Sequence, residues 1–153
     1  MKLFRIAKEQ HARDLSGVGA RLYGGRWNHK GVAVVYASES RALAALEYLV
    51  HVPMSSIPRD LEMMELVIPK RIIPENIDPA DLPPKWREYP PPQSLATLGS
   101  NWVHSNRSLL LRVPSAVVEN EFNVLINPKH EDLKRIRTIG PVRFEFDSRL
   151  LKL

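Results

Sequence analysis

Prolines are concentrated in one segment of the chain, and this concentration limits the possible folds more than any other feature of the sequence. There are 13 prolines, and eight of them lie between Pro69 and Pro92 in PKRIIPENIDPADLPPKWREYPPP. Proline lacks a backbone N–H and obstructs the preceding turn, so it interrupts helices and central strands. We therefore predict a long surface connection, of the kind that often carries function. Too little chain follows it for a second core, so residues 1–153 are expected to form one domain.

Apolar patterns on both sides of this segment predict an α+β fold. Short runs rich in β-branched and aromatic residues predict strands, and longer runs with a 3.6-residue apolar period predict helices. The predicted strands are residues 3–7, 32–37, 61–69, 108–117, 121–128 and 142–147. The predicted helices are residues 39–52 and 93–106, with a short helical piece at 130–136. The expected architecture is a mixed or antiparallel sheet with two main flanking helices.

The predicted strand VAVVYA, residues 32–37, leads directly into the first predicted helix. Its apolar residues are continuous, which is typical of a strand buried on both faces. Ser38 is expected to cap the helix, and Glu39 lies in the predicted first turn, where the helix dipole favours an anion. Pro53 is expected to end the helix.

Two titratable residues of this helix are candidates for chemistry. Glu47 and His51 are four residues apart, so they share one face of a helix. The apolar stripe predicted beside them consists of Leu43, Leu46 and Val50. A carboxylate that borders an apolar stripe is unusual, although charged helix residues mostly face water. The pattern leaves two readings open: an inward-facing Glu47, or a solvated one.

The sequence GGRWN, residues 24–28, is a candidate phosphate site. Gly24 and Gly25 permit a positive φ or a close approach of the backbone. Arg26 carries a planar guanidinium that suits a phosphate, and Trp27 either stacks on a base or fills the core. The segment contains neither a dinucleotide fingerprint nor a P-loop. A simple glycine turn between strands remains the alternative.

Two further candidates, Tyr36 and Ser115, lie at the ends of predicted strands. A tyrosine in the position of Tyr36 either belongs to the core or stacks on a flat cationic ring. Pro114 interrupts the strand ladder just before Ser115, which allows the serine hydroxyl to turn into a cleft. No G-x-S-x-G motif surrounds it, so a hydrolase nucleophile elbow is not supported.

Composition narrows the class of protein. The absence of cysteine excludes disulfides and thiolate chemistry, and the five histidines show no paired metal-ligand spacing, so no metal site is predicted. No apolar run is long enough to cross a membrane and the N-terminus lacks a signal-peptide pattern, so a cytoplasmic location is expected. The net charge of +5 indicates an anionic ligand or an acidic partner. The cations are scattered, which argues against direct nucleic-acid binding.

Several of these segments, taken in order, resemble the RES domain family. The segments are RLYGGRWNHKGVAVVYASESRALAALEYLVH, LPPKWREYP, RSLLLRVPSAVV and NVLINPKH. The family takes its name from an arginine, a glutamate and a serine, which correspond here to Arg26, Glu47 and Ser115. The similarity extends over essentially the whole chain. The family's pocket residues correspond to Tyr36, His51 and Asn127.

The resemblance implies an ADP-ribosyltransferase-like fold and an NAD⁺-consuming toxin of a bacterial type II toxin–antitoxin pair. It implies cleavage of NAD⁺ as a substrate, with no other cofactor, by hydrolysis, phosphorolysis or ADP-ribosyl transfer. Glu47, Arg26 and Ser115 would be catalytic, and Arg26, Tyr36, His51, Ser115 and Asn127 would bind NAD⁺. The implied partner is an Xre-type helix-turn-helix antitoxin that forms a hetero-oligomer with the toxin. The antitoxin would bind DNA, and the toxin would be linked to DNA only through it.

Two other classes of function remain open from the residues themselves. Ser115, His51 and Glu47 could form the triad of a serine hydrolase. Alternatively, the protein could be a binding module without catalytic activity, whose basic surface binds an acidic antitoxin or nucleic acid. The sequence does not distinguish water, phosphate or protein as acceptor, and it does not give the oligomeric state.

Overall fold

The computed structural model describes residues 1–152, and all of its strands belong to one seven-stranded sheet. The strands are β1 (Lys2–Lys8), β2 (Val35–Ser38), β3 (Leu61–Val67), β4 (Glu75–Asn76), β5 (Leu110–Pro114), β6 (Phe122–Ile126) and β7 (Arg137–Arg143). Their order across the sheet is β4-β5-β6-β2-β1-β3-β7. Every neighbouring pair is antiparallel except β4 and β5, which are parallel. The sheet is therefore mixed, and the predicted α+β class is confirmed.

Three α-helices accompany the sheet. They are α1 (Val18–Tyr23), α2 (Arg41–His51) and α3 (Gln93–Ser105). Short 3₁₀ helices span Glu9–His11, Met54–Ser56, Pro79–Asp81, Glu131–Arg135 and Ser148–Leu151. The two main helices and the helical piece near residue 131 lie close to their predicted positions. No helix in the described chain has the length and apolar character needed to span a membrane.

The sheet separates two apolar cores, because paired strand residues place their side chains on the same face. One core joins strand residues such as Leu111 and Leu125 to Trp102 on α3. The other core, around Leu3 and Leu66, is covered mainly by side chains from loops and short helices. Those covering residues are Leu15, Ile72, Leu133 and Ile136. Both cores are apolar along the strands, so the polar groups that bear on function lie at the strand ends.

The junction between β2 and α2 differs from the prediction. The strand starts at Val35, because the backbone of Val34 packs against Gly17, where an added Cβ would lie 2.7 Å from the Val34 nitrogen. The cap is Ser40, whose hydroxyl accepts a hydrogen bond from the Leu43 N–H, and the prediction of Ser38 as the cap was wrong. Glu39 precedes the helix instead of occupying its first turn.

Two other elements differ from the predicted secondary structure. No helix was predicted over residues 18–23, but Gly17 and Gly24, both with positive φ, bound the short helix α1 there. The last strand lies at Arg137–Arg143 and not at 142–147. Beyond Arg143 the rings of Phe144 and Phe146 meet edge to face, with their centres 4.9 Å apart, and Phe146 lies beside Tyr48 of α2.

The proline-rich segment lies on the surface, as predicted, and leads from β3 to the start of α3. Arg26 and Arg87 fasten it to the body of the protein. Arg26 Nη1 donates to the carbonyl oxygens of Trp86 and Glu88, at 2.5 and 3.1 Å. Arg87 donates at 3.4 Å to the carbonyl oxygen of Ala116, directly after Ser115. The segment therefore bridges the GGRWN loop and the end of β5.

Candidate functional site

Glu47 lies on the inward face of α2, which settles the alternative left open by the sequence. Leu43 and Ala44 are buried beside it, with 1% and 5% of their surfaces exposed. Leu46 and Val50, which were predicted to form the apolar stripe, are 39% and 57% exposed. The helix is thus turned about its axis relative to the prediction, and Glu47 is part of the face that meets the sheet. A carboxylate in that position requires hydrogen-bond partners.

Two neutral side chains hold one oxygen of Glu47. The Ser115 hydroxyl donates to Oε1 at 2.7 Å, and Asn123 Nδ2 donates to the same atom at 2.6 Å. Ser38 in turn donates to Asn123 Oδ1 at 2.7 Å, which fixes the orientation of the amide. The other oxygen, Oε2, has no hydrogen-bond partner among residues 1–152. The carboxylate is therefore oriented through one oxygen while the second is available to a ligand.

Ser115 is only 2% exposed and uses its full hydrogen-bonding capacity inside the protein. Besides donating to Glu47, its Oγ accepts from the backbone N–H groups of Val117 and Val118, each at 3.0 Å. A hydroxyl has one donor and two acceptor positions, and all three are used. Ser115 thus orients Glu47 and leaves no free hydrogen-bonding position for a ligand.

The charge of Arg26 interacts with that of Glu47, and the two side chains form no salt bridge within residues 1–152. Burial lowers the pKa of Arg26 below its ordinary value, and attraction to Glu47, followed by Tyr36 and Tyr89, opposes that shift. One nitrogen of the guanidinium holds the proline-rich segment, as described above. The remaining N–H groups make no hydrogen bond within the described residues, so they can bind an anion.

The Tyr36 hydroxyl is hydrogen-bonded to two residues of the GGRWN loop. It donates to Asn28 Oδ1 at 2.7 Å and accepts from the Trp27 N–H at 3.1 Å. Burial raises the pKa of this phenol above its ordinary value. The Tyr36 oxygen also lies 2.8 Å from the position of a Cβ on Gly25, so a side chain there would displace it. The hydroxyl therefore fixes the loop that carries Arg26, and the half-buried ring packs against the core around Trp27 and Leu125.

Two residues that the resemblance placed in the pocket do not join this cluster. His51 is exposed at the last residue of α2 and is not a hydrogen-bond partner of Glu47. Asn127 is fully buried just past the opposite end of β6 from Asn123. Its amide donates to the Val103 carbonyl oxygen and to Asn106 Oδ1, and its Oδ1 accepts from the Lys129 N–H. These contacts support a structural role for Asn127, and none of them is to Glu47 or Arg26.

Asn123 and Ser38 are the site residues that the sequence analysis missed. Asn123 lies within β6, and Ser38 lies opposite it at the end of β2. An asparagine is unfavourable in a strand. This local mismatch in the run FNVLI is the one signal by which the sequence could have pointed to Asn123.

The arrangement suits stabilisation of a positive charge more than nucleophilic attack. Glu47 presents an oriented carboxylate oxygen, and Arg26 can bind an anionic group nearby. A Ser–His–Glu triad is not assembled, because the Ser115 hydroxyl donates to Glu47 and His51 lies apart from both. No group of three or more possible metal ligands occurs within residues 1–152.

A family model and individual related proteins were compared with the chain, and the matches agree with one another. The RES domain family matches residues 2–147 of the chain. The Prs ADP-ribosylating toxin of Sphingobium sp. (strain YBL2) is 40% identical over 148 residues, which cover 95% of this chain and 92% of that protein. Toxin Res of Yersinia enterocolitica is also 40% identical, over 152 residues that cover 98% and 99% of the two chains.

A solved structure supports the same fold. The chain is similar to the crystal structure of the Mycobacterium tuberculosis MbcT–MbcA toxin–antitoxin complex, with a TM-score of 0.71 and 15% sequence identity. The similarity covers 94% of this chain and 83% of that one. At this level of identity the likeness concerns the fold alone.

Proposed function

The chain belongs to the RES domain family, and we propose that it is the toxin of a toxin–antitoxin pair that cleaves the nicotinamide–ribose bond of NAD⁺. The observation that carries this proposal is the fixed Glu47 carboxylate, with one oxygen held by Ser115 and Asn123 and the other available. The Sphingobium relative is named as an ADP-ribosylating toxin, which agrees with NAD⁺ chemistry in this site.

The reaction needs stabilisation of a cationic ribose. When the bond between ribose C1 and the nicotinamide nitrogen breaks, its electron pair stays with nitrogen, and nicotinamide leaves as a neutral molecule. Positive charge then develops on the ribose, which becomes similar to an oxocarbenium ion. The available oxygen of Glu47 would accept a hydrogen bond from the 2-hydroxyl and stabilise that charge. Water, phosphate or a protein nucleophile then bonds to C1 and gives up its proton.

The remaining residues have supporting roles. The free N–H groups of Arg26 would bind the pyrophosphate of NAD⁺ through charge-assisted hydrogen bonds. The Tyr36 ring would lie against the nicotinamide. Ser115 and Asn123 act through Glu47 and are positioning residues. NAD⁺ is the substrate in this proposal, and the reaction requires no cofactor.

The partner proposed for this toxin is its antitoxin. The solved structure with a similar fold is a toxin–antitoxin complex, and the net charge of +5 would favour an acidic partner. We expect an Xre-type helix-turn-helix protein that covers the cleft, so that contact with DNA occurs through the antitoxin. Expression of the toxin alone in a bacterium should then arrest growth, and co-expression with the antitoxin should restore it.

Proton NMR of NAD⁺ mixed with the purified protein tests the chemistry directly. Free nicotinamide should appear, and the ribose product formed with and without phosphate would identify the acceptor. Glu47→Gln should reduce the rate at least ~10²-fold, as expected for the loss of transition-state charge stabilisation. Glu145→Gln is the matched control, because Glu145 is 67% exposed and, among residues 1–152, pairs only with Arg143. Intact NAD⁺ in the presence of folded protein, or full activity in Glu47→Gln, would refute the proposal.

A further inference from the structure

A cavity of about 210 Å³ lies beside Arg26 and is lined by residues of the GGRWN loop. The loop forms one wall, and the end of the proline-rich segment with the start of α3 forms the other. Its volume is below the roughly 300–1,000 Å³ of pockets that enclose a whole drug-sized ligand. The cavity is therefore suited to one part of a larger molecule.

The chemistry of the cavity favours an anion attached to an apolar group. Arg26 and Lys30 line it, and no acidic side chain does within the described residues. Lys30 is exposed and forms no salt bridge to any carboxylate of residues 1–152. The rim also carries the Tyr23 ring, which is 79% exposed, and Pro91 and Pro92 add apolar surface. Gln93, the first residue of α3, brings the positive end of the helix dipole to the same place.

We propose that this cavity binds the adenylate half of NAD⁺, with its phosphate near Lys30 and its base against Tyr23. The inference rests on the proposed function, since Arg26 belongs both to this cavity and to the surroundings of Glu47. If Arg26 holds the pyrophosphate and Glu47 the nicotinamide ribose, the adenylate continues beyond Arg26, away from Glu47. The cavity is lined by Arg26 and not by Glu47, so it is the space assigned to the adenylate.

The first test compares NAD⁺ with nicotinamide mononucleotide, which has the same scissile bond but lacks the adenylate. We expect kcat/KM for the mononucleotide to be at least about tenfold lower, because a charge-assisted contact and a stacking contact are lost. Equal kcat/KM values for the two substrates would overturn the proposal while leaving NAD⁺ cleavage intact.

The second test changes the cavity itself. Lys30→Glu should raise KM for NAD⁺ about tenfold with little change in kcat, and Tyr23→Ala should raise it several-fold. Both side chains are exposed, so neither substitution endangers folding. Lys70→Glu is the matched control, because it makes the same change in net charge at an exposed site outside the cavity. An equal rise of KM in Lys70→Glu and Lys30→Glu would show an effect of overall charge and overturn the assignment.

Binding of adenosine monophosphate tests the cavity independently of catalysis. In a calorimetric titration the unmodified protein should bind this nucleotide, and Lys30→Glu should bind it about tenfold more weakly. Failure of the protein to cleave NAD⁺ would refute the proposed function but leave this titration informative. Absence of binding, or equal binding by Lys30→Glu, would refute the adenylate site alone.

Discussion

The carboxylates of Glu47 on α2 and Glu65 on β3 have opposite surroundings, and the difference indicates which one is used for chemistry. Glu65 on β3 forms salt bridges to Lys2 at 2.8 Å and to Arg41 at 3.0 Å. Glu47 receives hydrogen bonds from the neutral side chains of Ser115 and Asn123. Two cations neutralise the charge of Glu65, whereas the charge of Glu47 is oriented without being neutralised.

The strand register places Asn123, the donor to Glu47, in the same row of side chains across the sheet as Glu65. Asn123 lies opposite Ser38, Ser38 opposite Phe4, and Phe4 opposite Glu65. With strands about 4.8 Å apart, Asn123 and Glu65 are separated by about 14 Å. The Arg41 guanidinium lies over the Phe4 ring, 4.8 Å from its centre, between the two ends of the row. Arg41 forms a salt bridge to Glu65, whereas the side chain that contacts Glu47 from this row is the neutral amide of Asn123.

The largest expected effect comes from exchanging each carboxylate for an amide. Glu47→Gln should lower NAD⁺ turnover at least ~10²-fold and leave thermal stability nearly unchanged, because the amide oxygen can still accept from Ser115. Glu65→Gln should keep kcat but lower the melting temperature, because Lys2 and Arg41 lose their counter-charge. Turnover by NMR and melting by calorimetry on both variants would measure this. A similar loss of turnover in both variants would contradict the division of roles.

A second prediction concerns Asn123, the neutral donor to Glu47. Asn123→Asp would place a second carboxylate next to Glu47, and like charges so close raise the pKa of one of them. The acidic limb of the pH–rate profile should therefore move to higher pH, and kcat at neutral pH should fall by about one to two orders of magnitude. Asn127→Asp or Asn127→Ala is the control: such a change should lower stability without moving the pH profile. An unchanged profile in Asn123→Asp would argue against the positioning role.

Local signals in the sequence made Arg26, Glu47 and Ser115 separate candidates, and the resemblance to the RES family brought the three together as one site. Glycines preceded Arg26, a proline preceded Ser115, and Glu47 stood among apolar helix residues. What the sequence could not predict was the rotation of α2, because both of its sides carry leucine or valine. Leu46 and Val50 look like core residues in sequence, yet they are exposed. Which side faces the sheet is decided by the tertiary hydrogen bonds to Glu47, and periodicity does not contain that information.

Strand ends and short helices were the less predictable part of the fold. The sequence 32–34 has the composition of a strand, but β2 begins only at Val35, and the backbone of Val34 packs against Gly17 at the start of α1. The helix α1 was missed because its length of six residues gives too short a period to recognise. Asn123 was missed because its role depends on Glu47 and Ser38, which are 76 and 85 residues away in sequence.

A smaller effect is expected from Ser38, which donates a hydrogen bond to Asn123 and so reaches Glu47 only indirectly. Ser38→Ala removes the hydrogen bond that orients the Asn123 amide, without touching Glu47 itself. A neutral hydrogen bond contributes about 0.5–1.5 kcal/mol, so kcat should fall by no more than about tenfold. In the double variant with Asn123→Ala, the Ser38 effect should disappear, because the amide that it orients is gone. Additive effects of the two substitutions would show that Ser38 acts by another route.

The smallest effect concerns the acid stability of the Glu65 side. The Lys2 ammonium, followed by the Arg41 guanidinium, holds the pKa of Glu65 below its ordinary value. A carboxyl whose pKa is lower in the folded state stabilises the fold above its unfolded pKa of about 4.3, and that stabilisation is lost as the pH falls further. The free energy of unfolding, measured in urea between pH 5 and pH 2.5, should therefore decline less steeply in Glu65→Gln than in the unmodified protein. Parallel slopes in the two proteins would mean that Glu65 has the same pKa in the folded and unfolded states. The difference between Glu65 and Glu47 would then rest only on the geometry of their partners.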